Sequence, residues 1–155
     1  MTIAEGDMIP DLSLTMPDGG PVKLRNYVGQ PFVLYFYPKD DTSGCTREAQ
    51  GFSDHIEAFK KAGAAVLGVS KDSPAKHRKF IDKYALAVPL ASDEPGTVIE
   101  AFGAWIEKSL YGRKYMGIDR STFLFGVDGK LVRAWRKVKV PGHVEQVLEA
   151  ARSLG

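Results

Sequence analysis

The chain has 155 residues and a mass of 17.0 kDa, enough for one buried core and too short for two, so one domain over residues 1–155 is expected. Its 21 basic and 19 acidic side chains leave a net charge of +2 with no run of five or six like charges, which gives no electrostatic case for a nucleic-acid partner. No apolar run approaches the roughly 18 residues of a membrane helix, and a lone cysteine excludes an internal disulfide.

The opening residues Met1 to Gly6 lack a basic segment followed by an apolar one, so a cytoplasmic chain without a secretory leader is expected. Leu12 to Leu14, the turn residues Pro17-Asp18-Gly19-Gly20 and Val22 to Leu24 predict a short N-terminal β-hairpin. Phe32 to Tyr37 is a continuous apolar run, too short for a free-standing helix and rich in aromatic and β-branched residues. It predicts a strand buried on both faces and ended by Pro38.

From Thr42 to Ala62 the period changes: Ala49, Phe52, Ile56, Phe59 and Ala62 recur at helical spacing. One amphipathic helix is expected there, capped by the hydroxyl of Thr42 or Ser43 and ended by Gly63 in a left-handed conformation. Ala64 to Ser70 predicts a second buried strand, Pro74 to Tyr84 a helix, Val88 to Ala91 a short strand and Thr97 to Trp105 a further helix. Ser121 to Val127 and Lys130 to Trp135 flank Asp128-Gly129, a hairpin signal, and Val144 to Leu154 predicts a closing helix. The basic stretch Arg133 to Lys139 alternates with apolar residues and reads as a half-exposed strand face. This order predicts an α/β thioredoxin-like fold, a mixed central β-sheet flanked by helices.

Cys45 lies where a polar loop, Lys39 to Gly44, enters the first turn of the predicted helix. Helix N-termini present unpaired N–H groups and partial positive charge, which favour thiolate over thiol. Thr42, three residues earlier, has a hydroxyl within reach of the sulfur or of a substrate oxygen. A dithiol exchanger would place C-x-x-C here, whereas Thr42-x-x-Cys45 cannot cycle a disulfide but can attack a peroxide. The competing reading is a small buried thiol without chemistry, since free cysteine is among the most buried residue types.

Pro38-x-x-x-Thr42-x-x-Cys45 resembles the active-site motif of the peroxiredoxins. Tyr35 to Thr42, Tyr111 to Met116 and Gly117 to Phe123 are similar to the bacterioferritin-comigratory, PrxQ-type branch, and the likeness runs over essentially the whole chain. The resemblance implies a thiol-dependent peroxidase of hydrogen peroxide and organic hydroperoxides, with Cys45 as peroxidatic residue passing through a sulfenic acid. It gives Arg120 the part of the active-site arginine, Thr42 that of a substrate-aligning hydroxyl and Pro38 that of a shield over the sulfur. A proline at a strand end and an arginine at a strand start also have purely structural explanations. The branch often carries a resolving cysteine five residues along the same helix, where this chain has Gln50, and it often has proline where this chain has Ser43. With no second cysteine, an external thiol reductant is implied: thioredoxin, glutaredoxin or a small thiol. The branch also implies a monomer, and no cofactor.

Trp105, Tyr111, Tyr115 and Phe123 are assigned to the core rather than to the site. His55, His77 and His143 lack metal-ligand spacing, and none lies near Cys45 in sequence as a hydrolase base. A peroxide sensor using Cys45 as a switch is hardly separable from an enzyme by sequence, because the two differ only in whether the thiol is regenerated.

Overall fold

The computed structural model describes residues 2–154. Its entrance is the expected hairpin, β1 (Ser13–Thr15) against β2 (Pro21–Lys23), with Leu14 opposite Val22. A 3-10 turn at Leu24–Tyr27 buries Leu24 and leads into β3 (Phe32–Phe36). Helices α1 (Ser43–Asp54) and α2 (Ile56–Lys61) follow, then β4 (Ala65–Ser70), α3 (Pro74–Tyr84), β5 (Leu90–Ser92) and α4 (Thr97–Ala101). The second half adds β6 (Trp105–Leu110), β7 (Arg113–Ile118), β8 (Ser121–Phe125), β9 (Leu131–Trp135) and α5 (His143–Arg152).

Seven strands form one mixed sheet in the order β2-β1-β5-β4-β3-β8-β9, with β3, β4 and β5 parallel and the outer pairs antiparallel. Strand β3 lies inside the sheet, between β4 and β8, and is buried throughout, and its alternation sends successive side chains to opposite layers. Val33, Tyr35 and Tyr37 pack with Cys45, Ala49 and Phe52 of α1, Phe80 of α3 and Val144 and Val147 of α5. Phe32, Leu34 and Phe36 pack on the other side with Val98 and Ile99 of α4 and with Phe102 and Phe123. Each fully buried aromatic or aliphatic side chain contributes about 1.5–3 kcal/mol.

Three expectations about elements are corrected. The helix drawn from Thr42 to Ala62 is two helices broken at His55 (φ −101°, ψ 5°), whose ring Nδ1 lies 2.9 Å from the Gly51 carbonyl while its own N–H reaches the same oxygen at 3.2 Å. A side chain competing for a ladder carbonyl is a recognised cause of a break. Gly63 does end the second helix at φ +75°, with Ala64 N–H donating to Phe59 O.

The helix expected to reach Trp105 stops at Ala101. Gly103 turns the chain at φ +67°, and Trp105 opens a separate two-stranded ribbon, β6–β7, which sequence periodicity did not reveal. Its two-residue turn, Tyr111-Gly112, has both residues at positive φ (51° and 78°), the geometry that matches strand twist. On this ribbon Tyr111 is 97 % and Tyr115 48 % exposed, so neither belongs to the core; Trp105 is half-buried, and Phe123 alone of the four is fully buried. The third correction concerns the basic stretch: it is strand only to Trp135, and Lys137 at φ +50° turns the chain away.

A buried polar network ties the loop after β3 to α3. His77, with no exposed surface, places Nδ1 2.6 Å from Asp40 Oδ2 and Nε2 2.9 Å from the Ala91 carbonyl. Tyr37 OH donates to Asp40 Oδ1 at 2.5 Å, while Asp40 N–H and Ser70 OH both donate to Asp72. Removing one partner strands the other in a low-dielectric interior. His77→Ala is therefore expected to lower stability by about 3–5 kcal/mol, read as a lower urea midpoint at unchanged m-value. A loss under about 1 kcal/mol would show that the pair carries no such weight.

Candidate active site

The site is assembled where β3 ends, at the carboxyl edge of the parallel strands, the usual ligand position in such sheets. Tyr37 is held by its N–H to Val69 O, Pro38 is half-buried behind it, and Lys39 to Thr42 form the loop into α1. Asp41 adopts φ +59°, a conformation that aspartate tolerates. Its carboxylate is tied to α3 by Lys83 at 2.8 Å and Tyr84 OH at 2.5 Å.

Cys45 is the third residue of α1 and is 1 % exposed. Thr46 N–H makes the first bond of the ladder, to Thr42 O at 2.8 Å, so the N–H groups of 43–45 precede it and leave positive charge beside the sulfur. The expected hydroxyl cap is absent: α1 has no side-chain cap bond, and Thr42 Oγ1 instead donates to Lys39 O at 2.9 Å. Its proton is spent on the loop, and its lone pairs remain available to accept from a peroxide O–H.

Arg120, in the link between β7 and β8, lies across the thiol, with Nη2 3.2 Å from Cys45 Sγ and Nη1 2.7 Å from Glu48 Oε1. Its backbone is fixed by Val138 N–H donating to Arg120 O and by Asp119 N–H donating to Ala104 O. Gly44 makes room, since a Cβ there would stand 3.2 Å from Nη2. Pro38 and Thr42 thus lie in the segment that joins β3 to α1 and leads to Cys45, and the fold brings Arg120, 75 positions further along the chain, against the sulfur.

Glu48 is the residue that sequence reasoning missed. It is fully buried, three positions after Cys45 and hence on the same helix face. That spacing, a carboxylate on an apolar stripe beside a candidate nucleophile, was the available signal. Burial pushes its carboxyl up to about 7, outweighing the opposite pull of Arg120. Among the described residues its Oε2 has no partner, and neither does the buried Tyr35 OH, whose ionisation is opposed by burial and by the charges of Glu48 and Cys45. Gly68 permits that tyrosine, because a Cβ there would meet its ring at 2.5 Å.

A carboxyl whose folded pKa exceeds its unfolded value destabilises the fold once ionised. The Glu48 contribution is therefore lost as pH rises from about 4.5 to about 7. Glu48→Gln is expected to abolish this part of the pH dependence, so that its melting temperature relative to the parent rises between pH 5 and pH 8. Parallel curves for the two proteins would contradict it.

His143 is held well down, at about 4, by burial and by the positive charge of Arg120 and Arg133; its Nε2 pairs with Thr122 Oγ1 at 2.8 Å. Among the described residues no histidine hydrogen-bonds Cys45. Lys108 of the ribbon has its pKa lowered by burial, with Asp119, Arg120 and Cys45 among the charges that act on it.

Residues 5–134 match the AhpC/TSA family. Over 99 % of its length the chain is 47 % identical to Peroxiredoxin Bcp of Bacillus subtilis (strain 168), covering 98 % of that protein. It is similar in structure to the Xanthomonas campestris bacterioferritin comigratory protein, which was studied for alkyl peroxide reduction: TM-score 0.88, 44 % identity, 95 % of this chain and 98 % of that one. A cysteine-to-serine mutant of Xylella fastidiosa PrxQ aligns with TM-score 0.92 at 38 % identity, covering 99 % of this chain and 98 % of that one.

Proposed function

Because the chain belongs to the AhpC/TSA family and is a thiol-dependent peroxidase of the peroxiredoxin type, we infer that Cys45 is its peroxidatic residue and that Arg120, Thr42 and Pro38 complete the site. The observation that carries this reading is the guanidinium 3.2 Å from the sulfur at a helix N-terminus. Arginine stays charged at any working pH and presents a rigid fork of donors. It stabilises the thiolate before attack and the charge that develops on the departing oxygen during it.

The thiolate attacks one peroxide oxygen, an S–O bond forms, and the O–O bond breaks. Cys45 becomes a sulfenic acid, and hydroxide or alkoxide leaves to be protonated. Thr42 accepts from the peroxide O–H, and Pro38 keeps water from the reacting pair. Glu48 holds the second arm of Arg120 and so orients the fork.

No second cysteine exists to condense with the sulfenic acid, so the reductant is an external thiol. The candidates are thioredoxin, glutaredoxin or a small thiol. A monomeric, cytoplasmic enzyme acting as one domain over residues 1–155 is the form this reading favours. Among the described residues no helix is long and apolar enough to cross a membrane.

The test is intact-mass analysis after one equivalent of hydrogen peroxide, with and without a sulfenic-acid trap. Rapid gain of one oxygen, captured by the trap on the Cys45 peptide, is expected. Oxidation no faster than that of free cysteine would reduce Cys45 to a buried thiol.

A further inference from the structure

The geometry points to a binding site for a small thiol bearing carboxylates in the lysine-lined cavity between the loop before Cys45 and helix α3. This deepens, and rests on, the reading of Cys45 as a peroxidatic residue that needs an external reductant. The cavity holds about 370 Å³, within the range of small-molecule sites of about 300–1,000 Å³.

Lys76, Lys79 and Lys83 recur at i, i+3 and i+7 along α3, so they share one face, and Lys39 joins them from the loop. Lys83 is paired with Asp41, but among the described residues Lys39, Lys76 and Lys79 have no carboxylate within ion-pair distance. The other two acids of the cavity are already engaged: Asp40 by Tyr37 and His77, Asp72 by Ser70 and the Asp40 N–H. Three lysines without an ion-pair partner therefore border the cavity, beside the hydrogen-bonded carboxylates of Asp40 and Asp72 and over the buried ring of Phe80.

Hydrogen peroxide is small and uncharged and has no use for such a site. An anionic thiol suits it: its carboxylates meet the unpaired lysines, whose positive charge also favours the thiolate, which is the nucleophile. The loop that lines the cavity, Lys39 to Asp41, runs through Thr42 directly into the helix bearing Cys45.

In the reaction, the incoming thiolate attacks the sulfenic sulfur of Cys45. The S–O bond breaks, an S–S bond forms, and hydroxide leaves with the thiol's proton as water. A second thiol attacks the outer sulfur of this mixed disulfide, returning the Cys45 thiolate and releasing a small-molecule disulfide. Two thiols are oxidised for each sulfenic acid reduced.

The experiment oxidises the protein with one equivalent of hydrogen peroxide, confirms the sulfenic acid by mass, and then mixes it with glutathione, 2-mercaptoethanol or cysteamine at equal thiolate concentration. Reduction by glutathione is expected to be fastest, to saturate and to slow with added salt, with cationic cysteamine slowest. In Lys76→Glu/Lys79→Glu the ratio of glutathione to 2-mercaptoethanol rates is expected to fall about tenfold. Equal, unsaturable rates for all three thiols, or an unchanged ratio in the variant, would overturn the proposal. So would an unchanged ratio accompanied by slower reduction by thioredoxin, which would assign the lysine face to a protein partner. Failure of the sulfenic acid to form would appear in the first mixing and would remove the peroxidase reading together with the site built upon it.

Discussion

Cys45→Ser removes peroxide turnover by more than about three orders of magnitude while the protein stays folded. A serine hydroxyl is not ionised by a helix terminus and one arginine, so the attacking anion is lost, and no other sulfur nucleophile exists in the chain. The substitution is nearly isosteric. The new hydroxyl inherits the Arg120 donor now 3.2 Å from sulfur, so it is buried with a partner and the cost in stability stays under about 1.5 kcal/mol. Peroxide consumption with excess dithiothreitol, beside a urea titration, separates the two effects. Turnover persisting within tenfold of the parent would place the chemistry elsewhere.

Arg120→Ala slows oxidation of Cys45 by about 10²–10³-fold, the usual loss when one preorganised donor to a developing charge is removed. The effect falls on the second-order rate constant with peroxide, because the guanidinium acts on thiolate and leaving oxygen together. A second consequence follows from Glu48, whose Oε1 loses Arg120 and whose Oε2 has no partner among the described residues. With burial the first cause of its raised pKa and Arg120 the opposing one, removing the arginine drives that carboxyl further toward its neutral form. Arg120→Lys restores the charge without the fork and cannot hold sulfur and carboxylate at once. It is expected to recover part of the rate, less than the parent by at least tenfold. Stopped-flow fluorescence over a peroxide series checks both, and a rate for Arg120→Ala within threefold of the parent would remove Arg120 from the site.

The elements legible in the sequence are those whose apolar period is unambiguous. Strand β3, buried on both faces, reads as an uninterrupted apolar run; Pro74 and the helical spacing mark α3; Asp128-Gly129 marks the β8–β9 turn. The ribbon β6–β7 escaped because it belongs to no sheet face. Apart from buried Ile118, its side chains are half-buried or exposed in no fixed alternation, and its only local mark is the Tyr111-Gly112 turn. The break at His55 escaped because it depends on one imidazole bonding one carbonyl rather than on any pattern.

Local sequence alone determined that a thiol would stand at a helix start after a buried strand, since strand, proline, polar loop and helix are consecutive and each is written in its own residues. What only the tertiary structure decided is what surrounds that thiol. Arg120 meets Cys45 because β8 pairs antiparallel with β3, Ser121 opposite Phe36, which sets residues 75 positions apart side by side. Glu48 becomes the arginine's second anchor because the helix face it shares with Cys45 is pressed against the sheet. The lysines of α3 reach the loop because His77 and Asp40 pair across the gap. Distances of this kind are products of long-range pairing, and no local period encodes them.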